Sequence, residues 1–255
     1  MIEFLRRQFR RARRLIRFAA VLLRGRAEFL CLQRTGPVSL ATRVTLLQGW
    51  CRQSLVALGV QVTVEGSAPT AGLLVSNHIG YLDILLYSSI LPCAFVSKTE
   101  VSGWPFFGQF AEYGGTIFVP REDRVALRQA NQRVVEYLDG GIAVMLFPEG
   151  TTTDGSHVLR FHSSMLQPAI DAGVMVTPCA VSYEVSDGTE KQVAWWGDMT
   201  LPPHFLNLSG KHEIRAKVAF GESLSASESH KGLSDLAREK VVALRVKSGP
   251  SLPSR

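Results

Sequence analysis

The chain has 255 residues, which is enough for one sizeable core but short for two full domains, so we expect one domain with appended ends. Its 46% hydrophobic content is ordinary for a globular protein, and its four scattered cysteines show no CxxC pairing, so the composition indicates neither a disulfide framework nor a zinc knuckle. The net charge of +6 is uneven, because residues 1 to 26 hold nine Arg and one Glu, a net of +8, which leaves the remainder at 6 − 8 = −2.

The first predicted element is a basic amphipathic helix at the N terminus. Six apolar residues recur at alternating spacings of four and three, which places them on one helical face: Leu5, Phe9, Ala12, Ile16, Ala19 and Leu23. An Arg-rich helix with such a stripe is typical of the head-group region of a membrane, and the alternative is a stripe that packs on the rest of the protein. The uncharged run from Phe18 to Leu23 is too short to cross a bilayer, which needs about 20 residues. Arg17 interrupts the apolar stretch, which disfavours a cleaved signal peptide.

The segments that follow alternate between helix and strand. The periodicity predicts helices at residues 38–58, 82–91, 124–138 and 231–247. It predicts strands at residues 60–64, 73–76, 94–97, 116–119, 142–147, 174–183 and 213–220. This alternation is typical of an α/β fold with a largely parallel sheet flanked by helices. The Ser- and Pro-rich tail, residues 248–255, is expected to be disordered.

A histidine and an aspartate lie where a buried strand ends and a helix begins. His78 follows the predicted strand at 73–76, and Asp83 lies in the first turn of the next helix. Polar groups at the carboxyl ends of parallel strands face the crevice where ligands bind. Gly80 permits a tight bend, so Asp83 can bond one imidazole nitrogen and leave the other for a substrate. The pair therefore fits a general base, although a lone histidine beside a helix start is more often a cap or a solvated turn residue.

Three further segments place special residues at strand ends. Gly114 to Arg121 ends in a cation, Phe147 to Thr151 contains a carboxylate and a Gly turn, and Val176 to Pro178 puts a proline inside a strand. That proline removes a ladder donor and predicts an edge strand or a bulge. Together with Asn77 to Asp83, these blocks resemble, in order, the NHxxxxD, GGxxFxxR, FPEGT and VxP motifs of the glycerolipid acyltransferase family, whose bacterial prototype is lysophosphatidic acid acyltransferase. The segment from Lys98 to Gly108 is similar to that family as well.

The resemblance implies roles for individual residues. His78 is expected to be the catalytic base and Asp83 its orienting partner, and substrate-binding positions are implied at Lys98, Arg121, Glu149, Gly150, Thr151 and Pro178. Of these, Arg121, Glu149 and Gly150 are expected to line the acceptor head-group site. The implied acyl donor is a thioester of coenzyme A or acyl carrier protein, and no cofactor or metal is expected. A thioester is already activated, so the reaction needs a base and oxyanion stabilisation but no enzyme nucleophile.

The implied reaction transfers a fatty acyl group to the hydroxyl of a lysolipid, most simply 1-acyl-sn-glycerol-3-phosphate, which gives phosphatidic acid in phospholipid biosynthesis. Two positions depart from the family pattern. Thr152 stands where many members have Arg, and the stretch Phe161-His162-Ser163-Ser164 lacks the usual Lys and Gly. Two cations that could hold a phosphate are missing, with Arg121, Arg160 and a protonated His162 as candidates to replace them. A lyso-ornithine lipid is therefore the alternative acceptor.

The expected organisation follows from this resemblance. We divide the chain into a basic amphipathic membrane-binding helical region (1–58), an acyltransferase catalytic domain (59–225), and a C-terminal helix with a disordered tail (226–255). The expected location is the cytoplasmic face of the inner membrane, as a peripheral or monotopic protein, with anionic lipids as partners. For the segment from Trp104 to Phe107, an interfacial wedge or acyl-channel mouth and a buried helix start remain open.

Two other functional classes compete with the enzyme. A non-catalytic membrane-docking module would use the basic helix alone, but His78, Asp83 and Glu149 are all present, which argues against lost catalysis. Nucleic-acid binding has only the arginines in its favour, because the chain contains no aromatic platform or recognisable module. We therefore expect no nucleic-acid partner.

Overall fold

The structure is a computed structural model that describes residues 1–120, 123–226 and 229–248. This part of the chain contains one seven-stranded sheet with helices on both faces. The helices are α1 (Ile2–Gln33), α2 (Leu40–Leu58), α3 (Leu82–Ile90), α4 (Phe107–Tyr113), α5 (Arg124–Asp139), α6 (Gln167–Asp171), α7 (Leu201–Ser209) and α8 (His230–Ser248). The strands are β1 (Val60–Glu65), β2 (Leu73–Ser76), β3 (Cys93–Lys98), β4 (Ile117–Val119), β5 (Ala143–Leu146), β6 (Val176–Val185) and β7 (Ile214–Phe220).

The sheet is largely parallel, as predicted. The strand order is β1-β7-β6-β2-β5-β3-β4, and only the β6–β7 pair is antiparallel. Each predicted strand is present, with ends that differ from the prediction by at most two residues. The predictions succeeded because strands covered on both faces appear in a sequence as short, nearly continuous apolar runs.

Two hydrophobic clusters cover the two faces of the sheet. Leu74 and its equivalents on neighbouring strands face α1, α2 and α3, whereas Leu73 and Val75 face α5, α6 and α8. This alternation follows from the two-residue period of a strand. The loops at the carboxyl ends of β2 and β5 are therefore fixed between two helical layers.

The N-terminal helix α1 is longer than predicted and presents the apolar stripe to solvent. It continues to Gln33, ten residues beyond the last residue of the predicted stripe, Leu23. Gly25 packs against the Trp50 and Phe110 rings, where an added Cβ would lie 3.0 to 3.1 Å away. All six stripe residues are exposed, and the buried face is the opposite one: Arg14, Phe18, Val21, Gly25 and Phe29. The alternative in which the stripe packs on the protein is therefore wrong.

Four of the N-terminal arginines are used inside the protein. Arg7 donates to Asn207 Oδ1 (2.7 Å), Arg11 to the Leu206 carbonyl (2.9 Å), and Arg10 and Arg14 to carbonyls between Ser209 and His212. The last carbonyls of a helix lack intrahelical partners and carry a partial negative charge, so these cations stabilise the end of α7. The basic charge of α1 is therefore only partly available to a membrane.

Pro178 does not lie on an edge strand, so that part of the prediction is wrong. It is buried in β6, which pairs with β2 on one side and β7 on the other. The ladder with β7 is interrupted at this point, because Cys179 pairs with Phe220 whereas Val176 bridges Leu224. Three steps on β6 thus face four on the segment that follows β7, so one extra residue on that segment interrupts the pairing opposite Pro178.

Three short helices escaped prediction. They are α4, α6 and α7, which have 7, 5 and 9 residues and are too short for a clear apolar period. α7 also begins with two prolines, which are tolerated in the first turn. The domain boundaries at residues 58 and 225 stay predictions, and the expected disordered tail lies outside the described residues except for Ser248.

Candidate active site

The candidate site lies at the carboxyl ends of adjacent parallel strands. His78 follows β2, and Glu149 follows β5, its neighbour in the sheet. β6 lies on the other side of β2 and extends beyond its end. Loops that leave neighbouring parallel strands in the same direction meet at one edge of the sheet, which is where ligands bind in such folds.

The structure brings His78 and Asp83 together. His78 Nδ1 lies 2.8 Å from Asp83 Oδ2, and Asp83 is fully buried whereas the His78 side chain is 18% exposed. The imidazole also stacks on Phe147, with ring centroids 4.0 Å apart. An ionised carboxylate can only accept, so Nδ1 carries the proton and Nε2 keeps a lone pair. This geometry suits a general base, and the catalytic role itself stays a prediction.

The loop that carries His78 is held by hydrogen bonds along its backbone. The amides of Ile79 and Gly80 donate to Asp83 Oδ2 (2.7 and 3.0 Å). The Thr153 amide donates to the His78 carbonyl (3.0 Å), and the Trp195 amide donates to the Ile79 carbonyl (2.9 Å). At Gly80 an added Cβ would lie 3.1 Å from the Trp195 nitrogen, so this close approach favours glycine.

Glu149 is a structural partner of this loop. Its side chain is 3% exposed, and its two oxygens accept from the backbone amides of His78 (2.8 Å) and Leu159 (2.7 Å). Burial raises the pKa of Glu149, and the two amide hydrogen bonds act in the opposite direction. A buried carboxylate with both oxygens occupied does not face an acceptor, so the predicted place of Glu149 in the head-group site is not supported by this geometry.

The C-terminal helix reaches the same region. Arg238 of α8 donates to the carbonyls of Val158 (2.6 Å) and Leu159 (2.7 Å), next to the amide that binds Glu149. Arg245 pairs with Glu190 (2.6 Å) and donates to the Gly155 carbonyl. α8 therefore fixes the loop between β5 and α6, which the sequence did not indicate.

Two residues at the site were missed as functional. The Tyr183 hydroxyl on β6 donates to Asp83 Oδ1 at 2.5 Å, and burial raises the pKa of Tyr183 well above its ordinary value, so the hydroxyl stays protonated. The Asn77 side chain binds both the carbonyl (3.1 Å) and the amide (2.9 Å) of Val181, and so extends the β2–β6 ladder. Asn77 was visible in its motif, whereas no sequence signal marks Tyr183.

The other predicted residues are spread over the region. Lys98 ends β3 and is exposed, as is Thr151. Gly150 has a φ of 68°, and an added Cβ would lie 3.1 Å from the His162 ring, so its backbone requires glycine. Pro178 pairs with Val75 inside the sheet and is buried. Arg121 lies outside the described residues, and its role stays a prediction.

An aromatic cluster connects the site to α1. Tyr81, three residues after His78, contacts the rings of Phe107, Trp195 and Phe205, and Phe18 of α1 contacts Phe107 (6.2 Å) and Phe205 (5.2 Å). Within the segment from Trp104 to Phe107, the first and last rings are half-buried while Phe106 is 64% exposed. The segment thus combines features of a buried helix start and of an exposed wedge.

An imidazole oriented by a buried carboxylate at the ends of parallel strands is suited to enzymes that transfer a group to a substrate hydroxyl by general-base catalysis. Residues 60–182 match the acyltransferase family model. The chain is similar to the lyso-ornithine lipid O-acyltransferase of Pseudomonas aeruginosa, at 37% identity over 76% of each chain. It is also similar to the 1-acyl-sn-glycerol-3-phosphate acyltransferase of Neisseria gonorrhoeae, at 30% identity over 92% of this chain and 93% of that protein.

The fold is also found in a crystal structure. The 1-acyl-sn-glycerophosphate acyltransferase PlsC of Thermotoga maritima superposes with a TM-score of 0.68 at 18% identity, over 95% of this chain and 98% of that one. The chain belongs to the acyltransferase family, and the protein is an acyltransferase.

Proposed function

We propose that the protein transfers a fatty acyl group from an acyl thioester to the hydroxyl of a lysolipid, with His78 as the base. The observation that carries the proposal is the His78–Asp83 pair, in which Nδ1 lies 2.8 Å from the buried carboxylate and the imidazole is still 18% exposed. Nε2 takes the hydroxyl proton while the oxygen forms a bond to the acyl carbon. The carbon–sulfur bond then breaks, and the thiolate leaves with the proton that the imidazole returns.

The donor class follows from this chemistry. A thioester supplies an activated acyl carbon, so a base is sufficient and no acyl-enzyme intermediate is needed. Coenzyme A and acyl carrier protein are the two carriers that fit. Turnover with purified protein and each donor in turn identifies the carrier, and an oxygen ester used equally well would contradict the thioester assignment.

For the acceptor, a lyso-ornithine lipid is favoured over 1-acyl-sn-glycerol-3-phosphate. Four bacterial relatives with 34 to 37% identity over 68 to 77% of this chain are named for lyso-ornithine lipid. The loop at residues 151–157 carries no Lys or Arg, and the cations that contact it are already paired, Lys191 with Asp154 (2.9 Å) and Arg245 with Glu190 (2.6 Å). This loop therefore offers little positive charge to a phosphate monoester. A zwitterionic ornithine head group carries its own cation and needs less positive charge from the protein.

The phosphate acceptor remains the second candidate. The Neisseria gonorrhoeae relative named for 1-acyl-sn-glycerol-3-phosphate aligns with 92% of this chain. The Pseudomonas aeruginosa relative named for lyso-ornithine lipid aligns with 76% of it. Both acceptors are single-chain lipids with a free hydroxyl. The choice between them depends on the head-group site and leaves the role of His78 unchanged.

A competition assay tests the acceptor. With both lysolipids in mixed micelles, we expect kcat/KM for lyso-ornithine lipid to be roughly tenfold higher, which corresponds to about 1.4 kcal/mol. Thr152→Arg should raise the use of the phosphate acceptor, and Ser156→Arg, on the same loop, is the matched control. Faster formation of phosphatidate by the unmodified protein would remove the ornithine proposal.

We also propose that α1 places the enzyme on the cytoplasmic face of the membrane. The stripe exposes Phe9 (73%), Ile16 (69%) and Leu23 (66%), flanked by the exposed arginines Arg13 and Arg17. An exposed apolar stripe beside cations is suited to the head-group region of an anionic leaflet. None of the helices in the described ranges is long and apolar enough to span a bilayer.

The His78→Ala variant tests whether the protein is an enzyme or a non-catalytic membrane-docking module. We expect the variant to lose turnover and to bind vesicles as the unmodified protein does, because His78 lies away from the α1 stripe. Binding is measured by cosedimentation and turnover by product formation. A variant that keeps full turnover would show that His78 is not the base, whereas one that loses both properties would point to misfolding.

A further inference from the structure

A cavity of about 410 Å³ lies between α1 and α2, and no residue of the His78 loop lines it. The cavity is wide open to solvent rather than enclosed. Arg17 and Arg24 reach it from α1, and Arg52 and Gln53 reach it from α2. Arg17 and Arg24 are seven residues apart, which is two helical turns, so they lie on one side of the helix.

Three arginines line the cavity, and none of them is paired with a carboxylate in the described residues. No acidic residue within the described ranges lines the cavity. Arg24 is oriented by Gln53 Oε1 (3.3 Å), and Arg52 donates through Nε to the Ser89 carbonyl (2.6 Å). Two of the three arginine side chains are thus held in place beside the cavity. Its accessible surface is almost entirely apolar, so the arginines line it mainly with their aliphatic stems and carry their charge at its rim.

The floor of the same cavity is apolar. It is formed by small and aliphatic side chains of both helices: Ala20, Val21, Val56 and Ala57. Val56 is 75% exposed, and Ala20 lies on α1 between the cavity and the exposed stripe of Ile16 and Leu23. A hydrated inorganic anion gains nothing from such a floor, whereas a lipid can place its phosphate among the guanidinium groups and its hydrocarbon on the apolar surface.

We propose that this cavity binds the phosphodiester head group of an anionic glycerophospholipid of the surrounding membrane, as a site separate from the one that takes the acceptor. The three guanidinium groups bind the phosphate oxygens, and the acyl chains continue along the stripe of α1. The inference rests on the proposed membrane placement of α1. It adds a specific lipid site to what would otherwise be a diffuse electrostatic attraction.

Thermal unfolding in micelles of an uncharged detergent tests the site without a charged bilayer surface. A ligand that binds only the folded state raises the melting temperature, and for phosphatidylglycerol added to saturation we expect a rise of roughly 5 °C or more. Inorganic phosphate at the same concentration should give little rise. Replacing Arg17, Arg24 and Arg52 by Gln should abolish the effect of the lipid.

The matched control removes the same charge from outside the cavity. Replacing Arg6, Arg13 and Arg34 by Gln should preserve the rise, because these exposed arginines do not line the cavity. Arg17→Gln alone should reduce the rise in melting temperature that the lipid causes. This single variant replaces the triple variant in the test if the triple variant is already destabilised without lipid. Equal loss in both triple variants would show a diffuse charge effect, and a full rise with inorganic phosphate would show a soluble-anion site; either result overturns the proposal.

Vesicle binding distinguishes this inference from the membrane placement. Cosedimentation is measured with phosphatidylcholine vesicles and with vesicles that contain about one-third phosphatidylglycerol. If the protein binds neither, the placement of α1 is wrong, and the micelle experiment still decides whether the cavity takes the lipid. Suppose that the protein binds both kinds of vesicle, and that phosphatidylglycerol increases the binding of the triple variant at Arg17, Arg24 and Arg52 as much as that of the unmodified protein. The membrane placement of α1 then stands, and the head-group site is refuted.

Discussion

Replacing Tyr183 by Phe isolates one hydrogen bond of the site. The Tyr183 hydroxyl donates to Asp83 Oδ1 at 2.5 Å, while Asp83 Oδ2 receives the other three donors, from His78, Ile79 and Gly80. Phe keeps the buried ring and removes only the donor. Tyr87→Phe is the matched control, because Tyr87 is equally buried and its hydroxyl bonds to Ser76 (2.6 Å) rather than to Asp83.

The magnitude follows from the charge on the acceptor. A hydrogen bond to a charged group contributes about 1.5 to 3 kcal/mol, and a buried oxygen that loses its donor keeps the desolvation cost. Three donors remain on Oδ2, so Asp83 should stay near its position, and only part of this energy is lost from the transition state. We expect kcat to fall roughly tenfold, which corresponds to about 1.4 kcal/mol, with KM changed by less than about twofold.

The pH–rate profile distinguishes positioning from packing. An Asp83 carboxylate with fewer donors attracts the Nδ1 proton of His78 more strongly and makes the imidazole a stronger base. The acidic limb of kcat/KM should therefore move to higher pH in Tyr183→Phe and stay in place in Tyr87→Phe. Both variants should lose some thermal stability. If both keep the same kcat and the same limb, Tyr183 acts only in the core and the reasoning is refuted.

Three further predictions concern the base, the membrane face and the acid response. Asp83→Asn should lower kcat by about 10³ to 10⁴, as in Ser–His–Asp sites where the amide imposes the wrong tautomer, with unchanged vesicle binding as the control. Replacing Phe9, Ile16 and Leu23 by Ser should weaken binding to phosphatidylcholine vesicles at least about tenfold, whereas Val246→Ser, on the exposed face of α8, should have no effect. Burial lowers the pKa of His204 below 6.5, so the unfolded chain binds the proton more readily and folding stability should fall as the pH drops through 6.5. His204→Gln should flatten that fall in urea titrations at several pH values, and an unchanged slope would contradict the assignment.

Much of the fold was predictable because its signals are local. The strands at β2 and β5 are four-residue apolar runs bounded by turn residues, and the helix from residue 124 begins with the Asp123 side chain accepting from the amides of Val125 and Ala126. The His78–Asp83 contact is also local, since a five-residue spacing across a strand-to-helix turn leaves few arrangements. Such local features can be predicted from a short stretch of sequence, without knowledge of distant residues.

What escaped prediction depends on distant residues. The donor from Tyr183 to Asp83 spans 100 positions, and the carbonyls just after α7 that bind Arg10 and Arg14 lie 200 and 197 positions away. The family resemblance placed Glu149 in the acceptor site, but in the structure the amides of His78 and Leu159 bind its carboxylate and allow it to be buried. A sequence pattern shows which groups are present and not which distant partner satisfies them.

The two faces of α1 explain how membrane position and chemistry depend on each other. Arg7, Arg11 and Arg14 bind the end of α7, and Phe18 packs into the aromatic cluster that contains Tyr81, three residues from His78. The exposed stripe is therefore on a helix whose other face is fixed to the catalytic loop. Because the helix cannot tilt without breaking these contacts, the proposed insertion of the stripe into the leaflet would also set the height of His78 above it. Under the two proposals together, a single-chain lipid would present its hydroxyl to His78 without leaving the membrane.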